Sequence, residues 1–190
     1  MRYDKIDITK SKEKERVIRK TGFLEWVSDL IVYTMIVGFF PIYSGMFLYF
    51  EWERNKYLNL AILLFVISLA IGGLLLYSVL NLDRLKRIKG ILKDQNREAI
   101  KELAKNLGWT ILQHNQRFIV ISLPWSWFST NWGQQVVVFY DRKDILFNCT
   151  TYGLHDLKSP FHWFGNRKLE RTIIQEFEKR IKSNDMPKMT

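Results

Sequence analysis

The stretch that decides the fold is LIVYTMIVGFFPIYSGMFLYF, residues 30–50, which contains no charged side chain. A second uncharged run, YLNLAILLFVISLAIGGLLLYSVLNL, follows at residues 57–82. An α-helix needs about 20 mostly apolar residues to cross a hydrocarbon core about 30 Å thick, and both runs reach that length. The sequence therefore predicts a hairpin of two transmembrane helices over residues 30–82.

Two other interpretations of the first run fit the sequence less well. A signal peptide is disfavoured because residues 1–29, acidic as well as basic, precede the run and no small-residue cleavage site follows it. A buried hairpin of a soluble protein is disfavoured because uncharged runs of this length are rare there. The interpretation as a membrane hairpin therefore leads.

The distribution of charge predicts the orientation of this hairpin. Lysine and arginine are frequent in residues 1–29 and 84–93, whereas the short connecting loop, residues 51–56, carries only two such residues. The positive-inside rule then places both termini in the cytoplasm. The predicted location is the inner membrane of a bacterial-type cell, with the lipid bilayer as the first partner.

The composition is basic as well as apolar. Lys and Arg total 29 against 19 Asp and Glu, which gives a formal net charge of +10. This excess suits an anionic neighbour, which could be a nucleic acid, a nucleotide or a lipid headgroup. Of these we expect an anionic lipid or a nucleotide, and no nucleic-acid polymer. Cys149 is the only cysteine, so an intramolecular disulfide and a cysteine-based zinc site are excluded.

The segment after the second run predicts a basic juxtamembrane linker helix over residues 83–93. In DRLKRIKGILK, the apolar residues Leu85, Ile88 and Leu92 have the spacing of one helix face. Residues 1–29 are interpreted as a separate cytosolic basic segment.

Residues 94–183 predict a cytosolic α+β domain, followed by a flexible polar tail at 184–190. A first helix stops at Gly108, which suits a left-handed cap. Four short strands rich in β-branched and aromatic residues then form two antiparallel hairpins, and a last helix begins at about Arg167. The fold class is thus a transmembrane helical hairpin plus an α+β domain whose two helices pack on one sheet face.

Catalytic and metal-binding patterns are weak in this sequence. It has no glycine-rich phosphate loop, zinc-ligand spacing or kinase motif. Cys149 lies in a predicted strand, where a small buried residue is expected rather than a nucleophile. His155 adjoins Asp156, but neighbours in sequence do not make a catalytic pair. We therefore expect no enzymatic activity, no cofactor and no metal.

The stretch SPFHWFGNRKLERT, residues 159–172, predicts a candidate anion site. Residues 160–164 are interpreted as an extended aromatic lead-in and Asn166 as the N-cap of the last helix. Arg167, Lys168 and Arg171 follow in its first turns, near backbone N–H groups that have no partner within the helix. Ordinary surface charge explains these cations equally well.

A second group of residues is a candidate for contact with a membrane interface or a partner. The rings within LPWSWFSTNWGQ, residues 123–134, either close one end of the core or contact a membrane, a base or a subunit. The cations after the second run are candidates for binding anionic lipid. The group comprises Trp125, Trp127, Phe128, Trp132, Arg84, Lys86, Arg87 and Lys89.

Two segments, VVVFYDRKDILFNCTTY at 136–152 and FGNRKLERTIIQEF at 164–177, resemble small bacterial domains of unknown function. In those domains a β-hairpin rich in Ser or Thr leads through an aromatic residue or Asp, a glycine and an Asn-Arg pair into a terminal helix. The resemblance covers about half of the soluble domain and implies a fold pattern without catalytic residues. The whole-chain architecture is similar to bacterial defence effectors in which a cyclic nucleotide binds an oligomeric cytosolic domain and opens or damages the membrane.

Three functional hypotheses follow. The leading one is a non-enzymatic integral membrane protein whose cytosolic domain binds a partner, an anionic ligand or a lipid surface. The alternative is a homo-oligomer assembled through the hairpin and gated by a nucleotide, with AIGG at residues 70–73 allowing close helix packing. The third is a membrane-associated enzyme.

Overall fold

The computed structural model describes residues 6–124, 133–153 and 157–185, with side chains to residue 181. The chain forms two compact units. The helical unit comprises residues 21–81, and the sheet unit comprises the described residues of 6–20 and 82–185. In chain order the elements are α1 (Ile8–Glu13), α2 (Phe23–Arg54), α3 (Leu58–Asn81), β1 (Lys86–Lys89), α4 (Lys93–Asn106), β2 (Thr110–His114), β3 (Phe118–Ser122), β4 (Gln134–Asp141), β5 (Asp144–Thr151) and α5 (Trp163–Asp185).

The helical unit is an antiparallel pair of long apolar helices, as predicted. Both are long and apolar enough to cross a membrane by length and composition, and α2 begins at Phe23, before the predicted Leu30. No residue of the most apolar stretch of α2 is buried within the protein, and 22% of the corresponding stretch of α3 is buried. At the turn, Asn55 adopts a left-handed φ of 54°, and the Glu51 carboxylate accepts the N–H of Tyr57 at 3.0 Å.

The two helices approach each other closely at Gly72. A Cβ atom there would lie 2.9 Å from the Cγ of Pro41. The hydroxyl groups of Ser44 and Ser68 hydrogen-bond across the same pair of helices. Gly72, in the segment assigned above to oligomer contacts, therefore packs inside the hairpin, and the homo-oligomer stays a prediction.

The sheet unit contains a five-stranded antiparallel sheet in the order β1-β5-β4-β3-β2. The predicted α+β arrangement and the two hairpins, β2–β3 and β4–β5, are confirmed. Gly108, after the end of α4, has the expected positive φ of 67°. The sheet has one more strand than the four predicted.

The additional strand, β1, corrects the prediction of a linker helix over residues 83–93. Lys86 to Lys89 pair with Phe147 to Asp144 of β5, which satisfies backbone groups at that sheet edge. Leu85 and Ile88 suit one face of a helix, but in extended chain a separation of three residues places side chains on opposite faces. Ile88 accordingly packs against the core on the sheet face that α4 and α5 cover, which we call the upper face. Leu85 packs in the core on the opposite face, below the sheet.

Both faces of the sheet are covered. α4 and α5 cover one face, as predicted, through side chains such as Ile100, Leu103 and Phe177. Ile6 and Val17 pack on the other face. Residues 6–20 therefore belong to the sheet unit, and the interpretation of residues 1–29 as a separate segment is wrong for this part.

The start of α5 also differs from the prediction. Pro160 to His162 form a turn of 3₁₀-helix, and α5 begins at Trp163. The prediction of an extended lead-in is therefore wrong. Asn166 is not an N-cap, because it lies inside α5 and its side chain faces the sheet, where it is 2% exposed.

Candidate functional site

The segments by which the chain leaves and re-enters the sheet unit lie side by side. The chain leaves after residue 20 and returns at residue 82. The backbone N–H of Val17 donates to the carbonyl of Asp83 at 2.8 Å, and that of Leu85 donates to the carbonyl of Glu15 at 2.8 Å. The two connecting segments therefore form one short antiparallel pair at the edge of the sheet unit.

Buried polar groups hold this pair in place, one from β5 and one from the chain that follows it. The side-chain amide of Asn148 donates to the carbonyl oxygens of Leu82 and Arg84 at 2.9 and 3.0 Å. Lys158, which is 2% exposed, forms an ion pair with Asp83. Burial lowers the pKa of Lys158, and the Asp83 carboxylate opposes this shift. A buried ammonium is tolerated when a carboxylate accompanies it, so Asp83 is a structural partner of Lys158.

Both connecting segments carry exposed basic side chains. Arg19 on the first segment is an exception, because it is only partly exposed and its guanidinium lies 6.0 Å from the centre of the Tyr152 ring. The exposed cations include three of the four that were predicted to contact lipid, namely Arg84, Lys86 and Lys89. We call the exposed cations of the two segments the connector cations, and they are Lys14, Arg16, Lys20, Arg84, Lys86 and Lys89.

Arg87, the fourth predicted lipid contact, has a different environment. Its guanidinium lies 2.8 Å from Glu15, 2.9 Å from Asp141 and 3.1 Å from Asp144. Hydrogen bonds to these carboxylates raise the pKa of Arg87. Arg87 therefore links the first connecting segment to the β4–β5 hairpin through ion pairs. This is a structural role and differs from the predicted contact with lipid.

A cavity of about 370 Å³ lies at the start of α5, beside the ends of β3, β4 and β5. Polar side chains from the sheet and the helix meet there with a few apolar ones. Its lining consists of Leu123, Gln134, Thr151, Phe161, His162, Gly165, Asn166, Lys168, Leu169 and Thr172.

Asn166 is the centre of a buried hydrogen-bond network in this cavity. Its Oδ1 accepts the side-chain N–H of Gln134 at 2.8 Å and the hydroxyl of Thr151 at 2.8 Å. Its Nδ2 is buried and has no hydrogen-bond partner among the residues that the structure describes. A buried amide donor without a partner is unfavourable, and this one belongs to a residue that lines the cavity.

The three cations of the predicted anion site do not act as a group. Arg167 pairs at 2.5 Å with Glu170, which is 3% exposed, and burial raises the pKa of that carboxyl while Arg167 opposes the shift. Lys168 is exposed and lines the cavity, whereas Arg171 is exposed and is not part of the lining. Only Lys168 is therefore placed to meet a ligand in the cavity.

The two described residues with potential catalytic chemistry near this cavity have structural surroundings. His162 Nδ1 lies 2.8 Å from the Ser159 hydroxyl. Cys149 is buried in β5, as predicted, and burial raises the pKa of its thiol. A thiol with a raised pKa is a poor nucleophile at neutral pH.

A second cleft, of about 610 Å³, lies near the β4–β5 turn. Lys93 and Arg117 line it together with Lys12 and Asp141, which are 3.7 Å apart. Its lining mixes acids with bases, so it provides no uniformly positive site.

Sequence reasoning missed the residues that build the cavity floor. Gln134 and Thr151 are separated in the chain by a whole hairpin, and Asn166 was assigned to a cap. Only Asn166 could have been placed from the local sequence. It precedes Ile173 and Phe177 by seven and eleven residues, a spacing that puts the three side chains on one face of the helix.

Several candidates lie outside the described residues, namely Trp125, Trp127, Phe128, Trp132 and His155. Within the described residues, no group of three or more His, Cys, Asp or Glu is arranged to hold a metal ion. No family model, curated protein or solved structure matches this chain. The resemblances drawn from the sequence therefore stay predictions.

Proposed function

We propose that this protein spans the cytoplasmic membrane twice and holds its sheet unit at the inner surface, where it binds anionic headgroups without catalysing a reaction. The observation that carries the proposal is the uncovered apolar surface of α2 and α3. Helices of this length with apolar side chains on all sides are stable in hydrocarbon, whereas exposure of those side chains to water is unfavourable.

The connector cations support the lipid part of the proposal. They flank the two points at which the chain passes to and from the apolar helices, at residues 20 and 82. A Lys or Arg close to an anionic leaflet contributes about 1 kcal/mol to the attraction. The pairing of the two segments, which brings Arg16 opposite Arg84, restrains the backbone that carries these charges, so less conformational entropy is lost when lipid binds.

Membrane topology is tested with single introduced cysteines. Glu53→Cys is exposed in the last turn of α2, next to the loop that joins the two helices, and Lys105→Cys is exposed in the sheet unit, whereas the native Cys149 is buried and serves as the background. In intact spheroplasts an impermeant maleimide should label Glu53→Cys, and it should label Lys105→Cys only after lysis. Extraction of the protein by alkaline carbonate, or equal labelling at both sites before lysis, would refute the two-span topology.

Headgroup binding is tested in nanodiscs of phosphatidylcholine with and without phosphatidylglycerol. Anionic lipid should raise the unfolding temperature of the wild type, and Lys20→Gln/Arg84→Gln/Lys89→Gln should lose most of this gain. The control Lys93→Gln/Lys105→Gln/Arg117→Gln removes the same charge from exposed positions elsewhere in the sheet unit. An equal loss in both triple variants would show that only net charge matters.

A further inference from the structure

We propose that the cavity at the start of α5 binds a small molecule through an anionic oxygen group. The site is distinct from the connector cations and goes beyond headgroup binding, because none of those cations lines it. Its volume of about 370 Å³ falls in the range of roughly 300–1,000 Å³ that is usual for small-molecule sites.

The floor of the cavity supplies a hydrogen-bond donor that the described residues leave unused. Within the described part of the chain, the Nδ2 of Asn166 is buried without a partner, while its Oδ1 is engaged by Gln134 and Thr151. These two bonds hold the amide plane and fix which atom is available. A ligand oxygen that accepts from Nδ2 would satisfy the donor, whereas an apolar group would not.

The charge at the rim selects an anion. Lys168 lines the cavity and has no carboxylate within 4 Å among the described residues, whereas the neighbouring Arg167 is paired with Glu170. His162 also lines the cavity, and its Nδ1 lies 2.8 Å from the Ser159 hydroxyl; in the tautomer in which Nδ1 accepts from Ser159, Nε2 carries the proton and is a donor. An ammonium and neutral N–H donors around one acceptor are the usual surroundings of a carboxylate or phosphate.

The remaining walls favour an apolar body attached to this group. Leu123 and Leu169 contribute aliphatic surface, and Phe161 contributes a ring that is 62% exposed. An exposed ring beside a cavity can stack on a planar ligand. The chemistry therefore fits a small aromatic or aliphatic organic anion.

The test uses the full chain in neutral-lipid nanodiscs and titrates phenyl phosphate, inorganic phosphate and phenylacetate by calorimetry. Phenyl phosphate should bind at least as tightly as inorganic phosphate, because it also fills the apolar part of the cavity. Lys168→Gln should weaken this binding by about tenfold, since a charge-assisted hydrogen bond is lost. Asn166→Asp, which keeps the acceptor and replaces the free donor by an oxygen, should abolish it.

Two matched controls make the test specific. Arg171→Gln removes an exposed cation from the same helix outside the lining, and Arg117→Gln removes one from the second cleft; both should keep the wild-type affinity within about twofold. The inference is overturned if neither phenyl phosphate nor phenylacetate binds, or if Arg171→Gln or Arg117→Gln weakens binding as much as Lys168→Gln. If Asn166→Asp does not fold, Lys168→Gln alone decides.

The source of the anionic group is distinguished by repeating the titration in nanodiscs that contain phosphatidylglycerol. Competition by the lipid, seen as a weaker affinity for phenyl phosphate, assigns the cavity to a headgroup phosphate. An unchanged affinity assigns it to a soluble molecule. Both results are consistent with binding in the cavity, and the same titration on Lys20→Gln/Arg84→Gln/Lys89→Gln separates competition in the cavity from lipid binding at the connector cations.

Discussion

At the residue scale, a buried ion pair stabilises the point at which the chain re-enters the sheet unit. Lys158 is almost fully buried, whereas the Asp83 side chain is 36% exposed. Loss of one partner therefore has a different cost for Lys158 than for Asp83. Asp83 can be solvated without Lys158, but the ammonium of Lys158 has little access to water without Asp83.

We predict that Asp83→Asn destabilises the protein more than Lys158→Met does. Removing one partner of a buried pair costs about 3–5 kcal/mol when the charge left behind is buried. Lys158→Met leaves only a partly exposed carboxylate and should cost clearly less. The unfolding temperatures of both variants in detergent measure the difference, and equal losses would contradict the argument.

The loss in Asp83→Asn should shrink as the pH rises from 7 towards 10. Burial lowers the pKa of Lys158 in the folded state from the usual 10.5, and removal of Asp83 takes away a carboxylate that opposes this shift. The unfolded chain then binds more protons than the folded chain, so stability increases with pH up to the unfolded pKa. Thermal unfolding of Asp83→Asn and wild type at pH 7 and pH 10 provides the comparison. A loss that grows with pH would contradict this assignment.

At the element scale, packing of α2 on α3 depends on the absence of a side chain at Gly72. A Cβ atom there would lie 2.9 Å from Pro41 Cγ and 3.3 Å from the carbonyl oxygen of Val37. At the adjacent Gly73 a Cβ atom would meet nothing within 4 Å. The two glycines thus differ in packing although they are neighbours in sequence.

We predict that Gly72→Ala destabilises the helical unit and that Gly73→Ala does not. Overpacking of a tight contact costs about 1–3 kcal/mol, whereas alanine in place of an exposed helical glycine favours the helix by up to about 1 kcal/mol. Thermal unfolding in detergent, followed by far-UV circular dichroism, measures both variants. Equal unfolding temperatures for Gly72→Ala and Gly73→Ala would show that the helices do not need this close approach.

At the scale of the whole molecule, the sheet unit is assembled from two parts of the chain. Residues 6–20 contribute Ile6 and Val17 to the core below the sheet, and β1 completes the edge beside β5. The helical unit is inserted between these parts. A fragment that begins at residue 94 therefore lacks one edge strand and the cover of one sheet face.

We predict that residues 1–20 joined to residues 82–190 by a linker of about six Gly and Ser residues form a soluble, cooperatively folded domain. Val17 and Asp83 are already paired, and six extended residues span up to about 20 Å, so the linker closes without strain. A fragment of residues 94–190 should unfold at a lower temperature or aggregate, because apolar side chains below the sheet become exposed. Cooperative melting of the shorter fragment at the same temperature as the fusion would contradict the two-part assembly.

The sequence by itself determined the features that depend on local pattern. The uncharged runs around residues 30–50 and 57–82 predicted two long apolar helices because length and composition alone specify them. Short runs rich in β-branched and aromatic residues, separated by turn residues, predicted the two hairpins, and apolar residues at helical spacing predicted α4 and α5 on one sheet face. Each of these signals lies within a window of a few tens of residues.

Only the tertiary structure decided which distant segments meet. The spacing of Leu85 and Ile88 suits a helix and a strand alike, and the free edge of β5 selected the strand. Asn166 has the chemistry of a cap, but Gln134 and Thr151 draw it into a buried network. Lys158 meets Asp83 across 75 residues of chain. Contacts of this kind depend on the arrangement of the whole sheet unit, and no local pattern records them.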